Sequence, residues 1–238
     1  MLYMRIAISS SPIANNNRVR GIGVYTKFLI ESLQRYETQH SYTLFTHTKD
    51  IPKDTDVVHY PYFDPFFLTL PWKKPHPTVV TVHDLIPLVF PDKFPKGVRG
   101  TVKWQLQKAL LKNIDSIITD SKSSKADIER IVGFDKEKIY PIYLAPSPLY
   151  DRIPTKETVV SVQKKYNLPE CFLLFVGDVN WNKNIPGLIK ATASISIPLV
   201  LVGKAFLDSS LSVTREINSI ISSLGREKFI IRPGYVTD

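Results

Sequence analysis

The chain has 238 residues and a formal net charge of +9 at pH 7, with 43% hydrophobic and 22% charged residues. This composition is ordinary for a globular protein; the single cysteine, Cys171, excludes an intramolecular disulfide and fits a reducing compartment. No apolar run reaches the ~20 residues that a membrane span needs, and the first 17 residues lack a signal-peptide pattern, so we expect a cytoplasmic protein with anionic partners.

The first part of the chain alternates β-branched runs with segments of helical periodicity. The pattern predicts strands at residues 3–9, 42–46, 57–60, 78–83, 116–119 and 138–143, and helices at 21–36, 97–113 and 121–131. Ser124 and Asp127 have capping-box spacing in the last of these helices. Alternating strands and helices favour a parallel sheet with right-handed crossovers.

A proline-rich stretch at 145–148, with Pro154 beyond it, predicts a linker between domains at 1–150 and 151–238. The alternation then restarts. Helices are expected at 156–166, 185–194 and 211–224, and strands at 172–176, 199–202 and 229–232, the first of them buried. The fold class is therefore α/β with two doubly wound domains, and the second holds too few residues to be complete.

Gly21-Ile22-Gly23 lies between the first strand and its helix. Glycines let the backbone approach a ligand, and a helix N-terminus suits a phosphate or a sugar hydroxyl. The pattern falls short of G-x-G-x-x-G because Thr26 occupies the third glycine position, and a flexible turn is an equal alternative.

Thr81-Val82-His83-Asp84 places His83 at the carboxyl end of a predicted parallel strand, where ligands bind in open α/β sheets. A histidine there can contact a sugar hydroxyl or carry a proton. The alternative is that Asp84 starts a turn and His83 satisfies a loop carbonyl. His59 has a similar position, but Tyr60-Pro61 follows at once, which favours a structural role.

The stretch from Val176-Gly177 to Lys183-Asn184 follows the first strand of the second domain. Gly177 permits a tight turn, and Lys183 just before a helix would hold a diphosphate together with free N–H groups. A solvated surface lysine is the alternative.

Two other features are assigned to the solvated surface. Asp54-Thr55-Asp56 has a metal-binding D-x-D spacing, but it lies at the amino end of its strand, and no His/Cys cluster has metal spacing. The helix at 97–113 carries Arg99, Lys103, Lys108 and Lys112. A solvent-exposed face of the helix explains these basic residues, and attraction to anionic lipid is the more specific hypothesis.

Taken in order, these segments resemble the bacterial family-4 glycosyltransferases over nearly the whole chain. The resemblance rests on the stretches Gly21–Thr26, Thr81–Pro87, Ile118–Ser124, Phe175–Asn184, Leu201–Gly203 and Gly234–Val236. It implies the GT-B fold, in which two Rossmann-like domains face a cleft; the first binds the acceptor and the second binds most of the nucleotide-sugar.

The resemblance also implies residue roles. Gly21 and Gly23 would approach the donor, and His83 would contact the transferred sugar near the reacting carbon. Lys183 would neutralise the diphosphate, a role that a metal has elsewhere, so no metal is expected. Gly177, Val236 and Asp238 complete the predicted donor-binding set, with Asp84, Asn182 and Ser121 as supporting candidates.

The implied function is retaining transfer of a hexose, with mannose favoured, from a nucleotide-sugar to a saccharide or lipid-linked acceptor. Peripheral attachment to the inner membrane face would fit the basic helix. Two departures matter: Asn182 replaces a frequent arginine, and the family's paired glutamates would lie beyond Asp238. We therefore expect no turnover by this chain alone, which leaves a binding module as an alternative. A nucleic-acid-binding protein is disfavoured because no recognisable module interleaves basic and aromatic residues.

Overall fold

The computed structural model describes residues 3–15, 20–147, 150 and 153–236, which form two compact units. The division falls between Pro148 and Leu149. Over the described ranges, no helix combines the length and the apolar character that crossing a membrane would require.

The first unit is a six-stranded parallel sheet with α-helices in three of its five strand connections. Its strands are β1 (Arg5–Ser9), β2 (Ser41–Phe45), β3 (Val57–Tyr60), β4 (Thr78–Thr81), β5 (Ser116–Thr119) and β6 (Ile139–Pro141), in the spatial order β2-β1-β3-β4-β5-β6. Its helices are α1 (Ser11–Ala14), α2 (Gly21–Tyr36), α3 (Ile86–Val89), α4 (Gly97–Lys112) and α5 (Lys122–Val132). The order reverses at β1, because the chain passes from β1 to β2 on one side and then to β3 on the other.

Apolar side chains of the strands form the core of the first unit. Ala7, Val80 and Ile117 are fully buried, and Leu111 of α4 and Ile128 of α5 pack in the same cluster. Burial of such apolar side chains is the main stabilising contribution, at about 25 cal/mol per Å² of apolar surface.

The second unit contains a three-stranded parallel sheet in the order β7-β8-β9. It comprises α6 (Lys156–Tyr166), β7 (Leu173–Val176), α7 (Ile185–Thr192), β8 (Leu199–Val202), α8 (Ser212–Ser223) and β9 (Ile230–Gly234). All four residues of β8 are buried, and its side chains pack with Ile189 of α7 and Ile217 of α8.

The prediction that the first strand of this unit, β7, is buried is wrong. Leu173 and Phe175 pack against the core, whereas Leu174 is 59% exposed and Val176 is 66% exposed, because successive side chains of a strand point to opposite faces of the sheet. The single thiol of the chain, Cys171, is exposed two residues before this strand.

Candidate functional site

His83 lies two residues beyond β4, at the carboxyl edge of the first sheet, and its ring is paired with a carboxylate. Its Nδ1 is 2.7 Å from Oδ2 of Asp120, which directly follows β5. Because β4 and β5 are neighbouring parallel strands, their carboxyl ends bring these two side chains together. An ionised carboxylate only accepts, so the proton in this hydrogen bond belongs to Nδ1.

The same strand ends hold a cluster of polar atoms without partners. Nε2 of His83, Oδ1 of Asp120 and Oγ1 of Thr119 are buried, and no hydrogen-bond partner reaches them among the residues that the structure describes. An unpaired buried polar group costs about 1–3 kcal/mol, so the two unpaired atoms of the bonded His83–Asp120 pair mark a position suited to a polar ligand. With Nδ1 donating to Asp120, the imidazole presents its other nitrogen, Nε2, to a hydroxyl group, as an acceptor when the ring is neutral.

A second layer of side chains supports the His83 ring. Tyr25 of α2 packs its ring edge-on against it, with centroids 4.6 Å apart. The Tyr25 hydroxyl lies 3.4 Å from Oγ1 of Thr81, which is 2.9 Å from Nε2 of His59. Burial, and secondarily the charge of His83, lowers the pKa of His59 to about 4, so His59 is neutral near pH 7. This agrees with the structural role predicted for His59.

The two glycines at the start of α2 differ in their surroundings. Gly21 is exposed, and a Cβ atom added there would meet no heavy atom within 4 Å, whereas Gly23 is buried in the first turn. Packing therefore does not explain the glycine at position 21.

Each strand of the second sheet ends at a glycine with positive φ: Gly177, Gly203 and Gly234. A Cβ on Gly203 would lie 2.2 Å from the carbonyl oxygen of Gly177, so only glycine fits there. The N–H of Gly203 donates to the Gly234 carbonyl at 2.9 Å, and that of Gly177 donates to Val202 at 3.0 Å. The three strand ends are thus closely packed backbone, with no side chain from these positions at the carboxyl edge.

Lys183 is exposed at the end of a short 3-10 helix, Trp181–Lys183, which also contains the exposed Asn182. The prediction of free N–H groups beside it needs correction. Oδ1 of Asn184 accepts from the N–H of Gly187 at 3.2 Å, and the second residue of α7 is proline. Since the cap and the proline reduce the donors of this turn, the Lys183 ammonium is the main group there for an anion.

Two of the supporting candidates, Asp84 and Ser121, have local structural roles. Oδ1 of Asp84 accepts from Ile86 N–H at 2.9 Å, which forms the turn given as the alternative for this residue. Ser121 caps α5 by accepting from Ser124 N–H at 3.0 Å, so the predicted capping role of Ser124 is wrong: the helix begins at Lys122.

The last two donor-binding candidates lie at the end of the chain. Val236 is half-buried, two residues beyond β9, and Asp238 lies outside the described residues.

The D-x-D segment pairs with a cation of its own chain. Arg5 of β1 contacts Oδ2 of Asp54 at 3.1 Å and Oδ1 of Asp56 at 3.0 Å, at the amino end of the sheet. Hydrogen bonds from Arg5 lower the pKa of Asp56 to about 2. Within the described ranges, His, Cys, Asp and Glu side chains form no group of three or more that could hold a metal ion.

Sequence reasoning did not assign a role to Asp120, although a signal for it was present. Asp120 directly follows the strand after the one that leads to His83, and consecutive parallel strands place such residues at one edge. The strand-end glycines Gly203 and Gly234 belonged to the stretches that carry the resemblance but not to the predicted site. Their φ values could not be read from composition.

Comparisons with known proteins agree with the resemblance. A family model described as Glycosyltransferase Family 4 matches residues 45–145. The serotype-specific mannosyltransferase WbdA of Escherichia coli is 26% identical over 176 residues, 71% of this chain and 21% of the relative. The O-antigen chain mannosyltransferase B of Escherichia coli is 29% identical over 172 residues, 67% of this chain and 42% of the relative. The chain thus spans about a fifth to two fifths of these curated relatives.

Two solved structures are similar to nearly the whole chain. A sucrose-phosphate synthase from Thermosynechococcus elongatus has a TM-score of 0.68 at 18% identity, covering 98% of this chain and 71% of that one. HepE of Anabaena, in complex with UDP-glucose, has a TM-score of 0.67 at 15% identity, covering 98% and 70%. In its sequence the chain is therefore similar to the glycosyltransferases of family 4, and its fold is that of the GT-B glycosyltransferase structures.

Proposed function

We propose that the protein transfers a hexose from a nucleoside-diphosphate sugar to a saccharide or lipid-linked acceptor in polysaccharide or glycolipid synthesis, with retention of anomeric configuration. The observation that carries the proposal is the cluster of unpartnered polar atoms around His83 and Asp120 at the carboxyl edge of the first sheet. Mannose is the first candidate sugar, because the curated relatives are mannosyltransferases.

In the proposed transfer, the bond between the anomeric carbon and the diphosphate oxygen breaks, and the same carbon bonds to an acceptor hydroxyl. The proton of that hydroxyl ends on the departing nucleoside diphosphate. His83 accepts a hydrogen bond from a hydroxyl of the transferred sugar through Nε2. Lys183 stabilises the negative charge of the leaving diphosphate, with no divalent ion required.

Asp120 is proposed as the positioning residue for His83. Its Oδ2 holds the proton on Nδ1, which fixes the tautomer that leaves Nε2 free to accept. Its effect reaches the substrate only through the imidazole.

The test is a transfer assay with GDP-mannose and UDP-glucose on the protein isolated from its source. We expect His83→Ala to lower kcat by about 100-fold or more, in the range for loss of one preorganised hydrogen bond. Asp120→Ala should lower it by about 10–100-fold, and Asp120→Asn, which keeps an acceptor oxygen, should lose less. The matched controls are His76→Ala and Asp127→Asn, which lie outside the cluster.

Two results would contradict the proposal. Full transfer by the His83→Ala variant would remove His83 from the reaction. Donor binding without any transfer would favour the alternative of a binding module.

We propose in addition that α4 contacts an anionic membrane face. Val98 is 82% exposed and Val102 is 64% exposed, and Arg99 and Lys103 lie on the same face of the helix. Cations beside exposed apolar side chains suit the headgroup boundary. Lys108 is excluded from this role, because its Nζ donates to the Ile131 carbonyl at 2.7 Å.

Sedimentation with vesicles tests the membrane contact. Binding to vesicles that contain anionic lipid, lost in neutral vesicles and weakened by the double substitution Val98→Ser with Val102→Ser, is the expected result. Equal binding to both vesicle types, or to neither, would contradict it.

A further inference from the structure

A small cavity of about 240 Å³ lies in the first unit, beside the amino end of β4. The buried side chains of Val58 and Tyr60 of β3 and of Thr78 of β4 line it. Thr78 begins β4 and His83 follows its other end, so a strand length of about 10 Å separates these two positions. The volume is below the roughly 300–1,000 Å³ of sites for whole small molecules, so the cavity fits a single small group.

Apart from the phenol of Tyr60, the titratable side chains that line this cavity are basic. They are Lys49, Lys73, Lys74 and His76. In the part of the chain that the structure describes, no Asp or Glu lines the cavity, and none of the three lysines forms an ion pair with a carboxylate. Ammonium groups around one small volume repel one another, so an anion between them would lower the electrostatic energy of the cluster.

The three lysines differ in how they are held. Lys74 is half-buried, and its Nζ donates to the Asn113 carbonyl. Burial lowers the pKa of this ammonium, although the charge of Asp115 opposes the shift. Lys49 and Lys73 are exposed, and their ammonium groups have no partner among the described residues. Lys49 and Lys73 are therefore the cations that can turn towards a ligand, while Lys74 adds a charge in a fixed position.

A neutral donor in the lining also lacks a partner. Tyr60 is 7% exposed, and its hydroxyl makes no hydrogen bond within the described ranges. Its ring packs edge-on against Phe45, with centroids 5.6 Å apart, which holds it in place. Burial raises the pKa of Tyr60 to about 12, so the hydroxyl stays protonated and can donate. Since buried polar groups are normally hydrogen-bonded, this hydroxyl indicates a place for an acceptor atom.

A phosphate group suits this set of donors. Its oxygens carry more than one negative charge and accept several hydrogen bonds at once, from ammonium groups, a phenol and an imidazole N–H. A carboxylate has one charge and two oxygens, so it would use fewer of the donors. A neutral ligand would leave the basic charges unbalanced.

We propose that this cavity binds a phosphate group, held by Lys49, Lys73 and the hydroxyl of Tyr60, at a position separate from the site of sugar transfer. The group is that of a free phosphate or of a phosphate ester. The proposal does not depend on the proposed function, because none of these three side chains takes part in the proposed transfer.

The test is a titration of the 238-residue chain with inorganic phosphate at constant ionic strength, followed by amide chemical shifts in NMR spectra. We expect shifts centred on residues 48–51 and 73–78 and a dissociation constant of about 1–10 mM. Acetate should bind at least about threefold more weakly, because it offers less charge. Glycerol 3-phosphate distinguishes the sources: tighter binding than phosphate assigns the site to an ester, equal or weaker binding assigns it to free phosphate, and both results support the proposal.

Two variants test the named side chains. The double substitution Lys49→Gln with Lys73→Gln should weaken phosphate binding by about tenfold or more, since two charge-assisted hydrogen bonds are lost. Tyr60→Phe, which keeps every charge and the ring, should weaken it by about threefold to tenfold. The matched control is Lys136→Gln with Lys138→Gln, which removes the same charge at exposed positions outside the cavity and should change nothing.

Because Lys49 and Lys73 are exposed, their replacement should leave the thermal midpoint unchanged, which separates loss of binding from unfolding. Unchanged phosphate affinity in this variant, or an equal loss in the control, would mean diffuse attraction by the net charge and would overturn the proposal. GDP-mannose binding, titrated separately, should be the same in this variant as in the unaltered chain. A parallel loss would mean that these cations bind the donor, which overturns the separate site and leaves the proposed transfer standing.

Discussion

The two units share one sequence pattern, alternating strands and helices, but their strands are buried to different extents. In the first unit, β4 lies inside a six-stranded sheet, and Thr78, Val80 and Thr81 are at most 2% exposed. In the second unit, β8 is equally buried, whereas its neighbour β7 exposes Leu174 and Val176. Helix α6 contributes no buried residue at all.

The difference shows that an apolar run predicts a strand but not its burial. The core of the second unit depends on β8 and on the faces of α7 and α8 that pack with it, and the other edge of β7 pairs with no strand in the described part of the chain. An exposed apolar strand edge favours association with other chains. We therefore expect the first unit to be the more stable of the two, and the following substitutions test that order.

The largest effect is expected at Gly203. A Cβ atom there would collide with the Gly177 carbonyl, and φ of +155° is a conformation that side chains rarely adopt. Adding backbone strain of about 1–3 kcal/mol to overpacking of about 1–3 kcal/mol gives Gly203→Ala a cost of about 2–6 kcal/mol. Hydrogen exchange should show this loss in β8 and β9. The matched control is Gly21→Ala, where nothing lies within 4 Å.

Core truncation in the two sheets provides the next test. Ile117 of β5 is fully buried, so Ile117→Ala should cost about 2–5 kcal/mol in urea unfolding. Leu174→Ala on the exposed face of β7 should cost within about 0.5 kcal/mol. A comparable loss for both would mean that the face of β7 is covered in solution, and the comparison between the units would then fail.

The smallest expected effect is a pH dependence of the first unit that arises from His59. Its pKa is lowered to about 4 by burial, so between pH 4 and 6.5 the unfolded chain binds more protons than the folded chain. Stability should therefore rise with pH across this window, by at most about 1.4 kcal/mol per pH unit, and be fully present above pH 6.5. Urea midpoints at pH 5 and pH 7 measure it, and His59→Gln should flatten the dependence.

Asp56 would change the stability of the first unit in a different pH range. Its lowered pKa contributes stability that is present above the ordinary Asp value of about 3.9 and is lost as the pH falls towards 2. Because the His59 window is higher, a slope between pH 5 and 6.5 that survives in His59→Gln would have to come from another group.

Much of the architecture could be predicted from the sequence, because strand runs and helical periods are local signals. Helices α2 and α6 and strands β3, β5 and β8 have the predicted bounds. One boundary error arises where a loop continues an apolar run: the strand predicted to reach His83 ends at Thr81. That difference places His83 in the loop beyond the sheet edge, where its ring can turn towards Asp120.

The site could be predicted only in part. The position of His83 follows from its strand, but its pairing with Asp120 depends on which strands are neighbours, a long-range property. The cap on α7 depends on a left-handed Asn184, with φ of +48°, and a residue count does not reveal that conformation. The reversal of strand order at β1 depends on the full order of six strands, which no single segment encodes.

The lone thiol has a practical consequence. Cys171 is the only cysteine in the sequence and is exposed just ahead of β7, the strand that ends next to Gly177. A maleimide fluorophore or spin label would therefore attach at one defined position in the second unit without any engineered substitution. The native protein thus carries its own reporter position, from which the proposed donor binding near Lys183 can be tested.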